Sequence, residues 1–219
     1  MPVTGGHRFT QANDDKVVIR TRVEVPVHID DGSWRTAEMV SFSGLADGRE
    51  HIAVVFPGDS TPAPLVRVHS ECLTGDVFGS ARCDCGPQLG EAVERFAGAG
   101  GILLYLRQEG RGIGLYNKLD AYRVQDDAGL DTFAANRALK FDDDLREYLP
   151  AAQMLRALGI SRVRLLTNNP DKVRQLEEQG IEIEGIQATQ VFRTERNTQY
   201  LRVKAELGGH TIDLVGESA

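Results

Sequence analysis

All three cysteines of this 219-residue chain fall in one stretch, residues 67–88, RVHSECLTGDVFGSARCDCGPQ. Cys72, Cys83 and Cys85 follow the pattern C-x10-C-x-C. If these soft ligands act together, the chain between them must fold back so that three sulfurs meet at one point. Thiolates bind zinc tightly in tetrahedral geometry, and three protein ligands leave a fourth position open, the arrangement of a catalytic rather than a structural ion. Two other arrangements fit the same spacing. The cysteines would serve as small buried hydrophobes, or His69 would close a structural Cys3His site. A disulfide fits poorly, because the count is odd and Cys83 and Cys85 are separated by one residue.

Composition narrows the class. Hydrophobic residues at 41% and charged residues at 26% are ordinary for a soluble globular protein. A net charge of −7 opposes non-specific nucleic-acid binding but leaves room for a local basic cluster on a nucleotide. The N-terminal MPVTGGHRFT has neither a basic start nor an apolar core, and the chain contains no apolar run of membrane-spanning length. No membrane partner is therefore expected, and unpaired thiols fit a reducing cytoplasm.

Residues 1–16 read as a flexible tail, and residues 17–219 as one catalytic domain. Val23, Val25, Val27 and Ile29 alternate as on a strand, and Pro26 places that strand near a sheet edge. Turn signals stand at Asp31-Gly32 and Asp47-Gly48, and short apolar runs at 52–56 and 65–68 read as strands. After Pro87 the pattern becomes helical, with Leu89, Val93, Phe96 and Ala97 on one face. The run 101–106 (GILLYL) reads as a buried strand leading into a glycine-rich loop, RQEGRGIGLYNKL, that lacks the order of a dinucleotide or P-loop motif. Helices are expected over 117–125, with Leu119 and Tyr122 inward; after an Asp131-Thr132 cap; over 142–158; over 171–178; and from Asn197 or Thr198 to Gly208-Gly209. Strands are expected over 163–166 and 181–186. The fold class is therefore α/β, with a β-rich first third leading into a partly parallel sheet flanked by helices.

An ordered set of motifs carries a resemblance: RVHSECLTGD, RCDCG-x-QL, LRQEGRGIGL-x-NK, Tyr122 with Gln125-Asp126, DTFAAN, DDDLREY and RLLTNNPDKV. Together they resemble GTP cyclohydrolase II, strongly over residues 67–172 and weakly over 200–210. The resemblance implies opening of the guanine imidazole ring of GTP, with release of formate and pyrophosphate, as the first committed step of riboflavin synthesis. It implies zinc at Cys72, Cys83 and Cys85, magnesium with the triphosphate, and a homodimer. It assigns catalysis to Tyr122, Asp144 and Arg146. It assigns GTP contacts to Arg67, Val68, His69, Ser70, Glu71, Gln88, Glu109, Gly110, Arg111, Thr132, Thr167 and Lys172. An arginine nucleophile is chemically awkward, so stabilisation of the leaving pyrophosphate suits Arg146 better.

The chain departs from that pattern at Ala134, where the family usually carries Glu, in one residue missing before Gly101, and in an added glycine at Gly208-Gly209. The dihydroxybutanone phosphate synthase domain of fused relatives is absent, which implies a stand-alone enzyme. Relatives that stop at the N-formyl pyrimidine or serve secondary metabolism are same-class alternatives. A non-catalytic module with a closed structural zinc is the alternative from a different class.

Overall fold

The first hairpin starts earlier than the alternating valines predict. In the computed structural model, which describes residues 17–58, 61–142, 144–206, 209 and 211, β1 spans Val18–His28 and pairs antiparallel with β2, Trp34–Ser43. The turn at Gly32 is closed by Gly32 N–H donating to Ile29 O, and the positive φ of 82° there favours glycine. β1 forms one edge of the sheet, which tolerates Pro26, and Val23 is exposed on it.

Among the described residues seven strands form one sheet in the order β1-β2-β3-β5-β4-β6-β7. β3 (Ile52–Phe56) pairs antiparallel with β2 and with β5 (Gly101–Leu106). β4 (Leu65–Ser70) lies parallel to both β5 and β6 (Arg162–Leu166), and β6 lies parallel to β7 (Glu182–Gln187). The α/β class with a mixed, partly parallel sheet is thus what the structure shows.

Apolar side chains on the two faces of the sheet fill two cores. On one face Val66, Val68, Ile102 and Leu104 pack with α5 (Leu149–Ala157) and with Leu176 of α6 (Pro170–Glu178). On the other, Val54, Phe56 and Leu103 meet Ala92 and Phe96 of α2 (Cys85–Ala99). Between β4 and α2 lies α1, the single turn Leu73–Asp76. α3 (Leu115–Ala128) and α4 (Thr132–Ala138) follow β5, and α7 (Thr198–Glu206) is the last described helix.

Two helical expectations are corrected. Residues 142–158 do not form one helix: α5 begins at Leu149 with Pro150 in its first turn. A proline ring clashes with the carbonyl one turn earlier and disfavours helical geometry in the residue before it, so it starts helices rather than continuing them. Leu119 is 46% exposed on α3 instead of facing inward. The expected tail over residues 1–16 and the helix end at Gly208 lie outside the described residues.

Candidate active site

The carboxyl ends of three parallel strands, β4, β5 and β6, open onto one region, the usual place for a ligand in a parallel α/β sheet. β4 leads through Ser70 and Glu71 to Cys72. Cys83 precedes α2, and Cys85 sits in its first turn. The three sulfurs lie within 4.8 Å of one another, with Cys72 Sγ 3.7 Å from Cys83 Sγ. Gly75 makes this approach possible, because a β-carbon there would fall 2.9 Å from Cys83 Sγ and 3.2 Å from Cys72 Sγ. An all-sulfur donor set around a space that a single methyl would invade fits a soft metal ion such as zinc.

His69 is not part of that cluster. Its Nε2 lies 3.1 Å from each oxygen of Asp76, and its ring stacks on Tyr105 at 5.5 Å between centroids. Asp76 also accepts from the Tyr105 hydroxyl and from the Cys72 backbone N–H. His69 therefore helps fix the backbone of a cysteine through Asp76, and the closed Cys3His arrangement is not the one observed. Burial holds the His69 imidazole below its usual pKa, against the pull of Asp76.

The cysteines carry their charge unevenly. Hydrogen bonds from Cys83 and Cys85, followed by the nearby Lys118 ammonium, hold the Cys72 thiol far below its ordinary value. Cys83 is pushed up to about 11, first by its bond to Cys72, and Cys85 also rises. Lys118 Nζ donates to Cys72 Sγ at 3.1 Å and to Glu109 Oε1 at 2.7 Å. Burial opposes its charge, but the Cys72 thiolate and Glu109 outweigh that and raise its pKa. Glu109 in turn accepts from Leu73 N and Gly110 N. Tyr122, on α3, reaches the cluster through Thr74: its hydroxyl is 3.5 Å from Thr74 Oγ1, which lies 3.7 Å from Cys72 Sγ. Burial, ahead of all other effects, raises the Tyr122 pKa, so the phenol keeps its proton.

A cleft of about 420 Å³ joins these groups to the glycine-rich loop, its lining including Glu71, Gly110, Arg111, Thr132 and Arg146. A smaller cavity of about 60 Å³ continues from it toward Arg67, Gln88, Thr167 and Lys172. Ser70, Cys85, Arg146, Tyr200 and Lys204 line both. The smaller cavity is cationic. Lys172 donates to the Val68 carbonyl at 2.7 Å, and burial, then Arg67, Arg146 and Lys204, push its pKa well down. Arg67 Nε, His69 Nδ1 and Arg111 Nη1 are buried without a hydrogen-bond partner. Crowded cations and the unanswered Arg67 donor at this cavity, with the Arg111 donor in the adjoining cleft, are what an anionic ligand would satisfy.

Arg146 and Asp144 form a bidentate ion pair. Burial opposes the Arg146 charge, yet Tyr148 and Asp144 outweigh it and hold the guanidinium more firmly protonated than usual. Burial likewise raises the Asp144 carboxyl, but the bond from Arg146 overrides it and lowers its pKa. The structure places the other expected residues differently from one another. Val68 is buried in the core and offers only its carbonyl. The Gln88 amide bridges Arg67 and Asp84, at 2.6 Å to each. Thr167 accepts from Asn169 N–H.

Sequence reasoning did not single out Lys118, Lys204 or Asp84 as site residues. Lys118 could have been found: it stands four residues before Tyr122 on one helix, so the two share a face. Asp84 is 1% exposed and accepts from Lys204 Nζ at 2.7 Å, a partner 120 residues away that no local pattern reveals.

A family model described as GTP cyclohydrolase II matches residues 20–188. The chain belongs to the GTP cyclohydrolase II family. A protein named GTP cyclohydrolase-2, from Vibrio cholerae serotype O1, is 56% identical over 180 residues, covering 81% of this chain and 90% of that protein. A protein named Riboflavin biosynthesis protein RibBA, from Bacillus velezensis, is 49% identical over 199 residues, covering 89% of this chain and 49% of that protein. The crystal structure of RibBX, a two domain 3,4-dihydroxy-2-butanone 4-phosphate synthase from A. baumannii, aligns with TM-score 0.39 at 17% identity, over 83% of this chain and 42% of that one, and bears on nothing here. The GTP cyclohydrolase II match contains the three cysteines, the glycine-rich loop and the Asp144–Arg146 pair, whereas Tyr200 and Lys204 of α7 lie beyond it.

Proposed function

We propose that this chain, with residues 17–219 as one catalytic unit, opens the imidazole ring of GTP and releases formate and pyrophosphate, leaving a diaminopyrimidinone ribosylamino phosphate for riboflavin synthesis. The observation that carries this reading is the continuity of two cavities: Cys85 and Arg146 line both, so the thiolate cluster and the buried cations face one space. Zinc at Cys72, Cys83 and Cys85 would supply a Lewis acid that activates water near neutral pH. Magnesium would accompany the triphosphate, whose oxygens supply most of its ligands.

The protein's own groups divide the remaining work. Arg67 and Arg111 offer positive charge to the phosphates, and Lys172 an amine that gains its proton beside them. Arg146, fixed by Asp144 and firmly protonated, stabilises charge at the α-phosphate as pyrophosphate leaves. A guanidinium in that state is an electrostatic partner rather than a nucleophile. Tyr122, protonated and next to Thr74, holds a proton that it can donate at the base or use to orient water. We extend the proposal to a homodimer. Val18, Val23 and Trp34 on the edge hairpin, each more than half exposed, are the apolar surface that a second copy would cover.

Mass spectrometry of the products from purified protein, GTP and magnesium tests the reading. Formate, pyrophosphate and a diaminopyrimidinone monophosphate are expected. A product keeping the formyl carbon would refute the full reaction. Unchanged GTP in a folded, zinc-loaded sample would refute the enzymatic reading altogether.

A further inference from the structure

We infer that Lys118 is a positioning residue for the metal site: by donating a hydrogen bond to Cys72 Sγ it weakens that sulfur's electron donation and keeps a three-thiolate ion electrophilic. This rests on the reading of the three cysteines as metal ligands.

Electron count makes the need plain. Three thiolates outweigh a divalent ion by one negative charge, and sulfur is the most electron-releasing ligand that proteins offer. Catalytic zinc sites more often use histidine or carboxylate, with at most two thiolates in the common sets. A site with three must draw electron density back from sulfur if the ion is to polarise a substrate or water. Hydrogen bonds to ligating sulfur do this, and are an established way for a protein to tune a metal–thiolate centre.

Lys118 is built for that position. Its side chain is 11% exposed, a costly place for an ammonium unless it is paired. Glu109 Oε1 at 2.7 Å supplies the pairing, yet a second ammonium proton goes to Cys72 Sγ at 3.1 Å. Glu109 is itself fixed by Leu73 N–H, the peptide directly after Cys72, and by Gly110 N–H. The ammonium is thus held by the same short segment whose sulfur it touches. Gly110, at φ 61°, leaves room for the lysine stem, since a β-carbon there would come within 3.1 Å of Lys118 Cβ. A lysine needed only to pair with Glu109 would not require this approach to sulfur.

Cobalt(II)-loaded protein offers a readout that needs no substrate. The sulfur-to-cobalt charge-transfer band moves to lower energy when a thiolate loses a hydrogen bond. In Lys118→Met the band is expected to shift to the red. Lys118→Arg should keep it near the wild-type position, and Lys118→Gln, a donor without charge, should fall between. With zinc and GTP, Lys118→Met should lower kcat by about 10-fold while KM for GTP is unchanged. A wild-type band in Lys118→Met carrying full cobalt would overturn the inference. If that variant fails to hold cobalt, coincident bands in the Gln and Arg variants would overturn it equally. Because the spectrum is read without GTP, its outcome is separate from that of the ring-opening reaction.

Discussion

A β-carbon at position 75 would lie inside the contact distance of the Cys72 and Cys83 sulfurs. Gly75→Ala should therefore cost about 1–3 kcal/mol of stability through overpacking and reduce bound zinc. Metal analysis of the purified variant checks this, and full zinc occupancy would show that the sulfurs do not need that space. The histidines set a second constraint on single side chains. His51 is buried, accepts from Arg107 N–H at Nδ1 and meets Asp47 through Nε2, so its neutral form already uses both ring nitrogens. Burial lowers its pKa, against the pull of Asp47, and does the same at His69. Below the ordinary histidine pKa of 6.5 the unfolded chain then binds protons that the folded one refuses. Stability should fall as pH drops from about 7 toward about 5. Urea midpoints across that range measure it, and a flat profile would contradict the assignment.

α4 explains the most conspicuous departure from the family pattern. Asp131 is its N-cap and accepts from Ala134 N–H at 2.9 Å. Ala134 is thus the third helical residue, where a glutamate reaches back to the cap's own N–H and completes a capping box. On this geometry alanine leaves half of a helix cap unmade, and position 134 is not among the residues that line the cleft. Ala134→Glu should raise stability by about 0.3–1.5 kcal/mol and leave the product unchanged, as thermal melts and product analysis would show. Elements whose pattern is local could be read from the chain: β3 and β5 run over the residues their apolar runs mark. The start of α5 was misread because leucine periodicity across residues 145–155 outweighed the plain signal of Pro150. Leu119 faces outward for a related reason, since periodicity shows which residues share a face but not whether anything covers it.

Folding gathers positive charge locally, at the smaller cavity, in a chain whose net charge is −7. Burial, and after it three other cations from β4, α7 and the segment before α5, hold the Lys172 pKa well down. A bound triphosphate would restore its proton, so GTP binding should take up protons at pH values below the ordinary lysine range. Titration calorimetry in buffers of different ionisation enthalpy would detect this, and binding without proton uptake would place the phosphates elsewhere. The cysteines, the loop and the Asp144–Arg146 pair were legible because each is a short motif. The charge cluster was not legible, because its members converge only through the parallel order of β4, β5 and β6. The Asp84–Lys204 pair is the extreme case: it closes a loop of 120 residues around a buried carboxylate between Cys83 and Cys85. That pair makes the centre sensitive to the order of synthesis. A ribosome adding about 5–20 residues per second exposes Cys83, Cys85 and Asp84 several seconds before α7 exists. Until α7 arrives the carboxylate lacks the Lys204 ammonium, so synthesis of α7 is itself a condition for finishing the site.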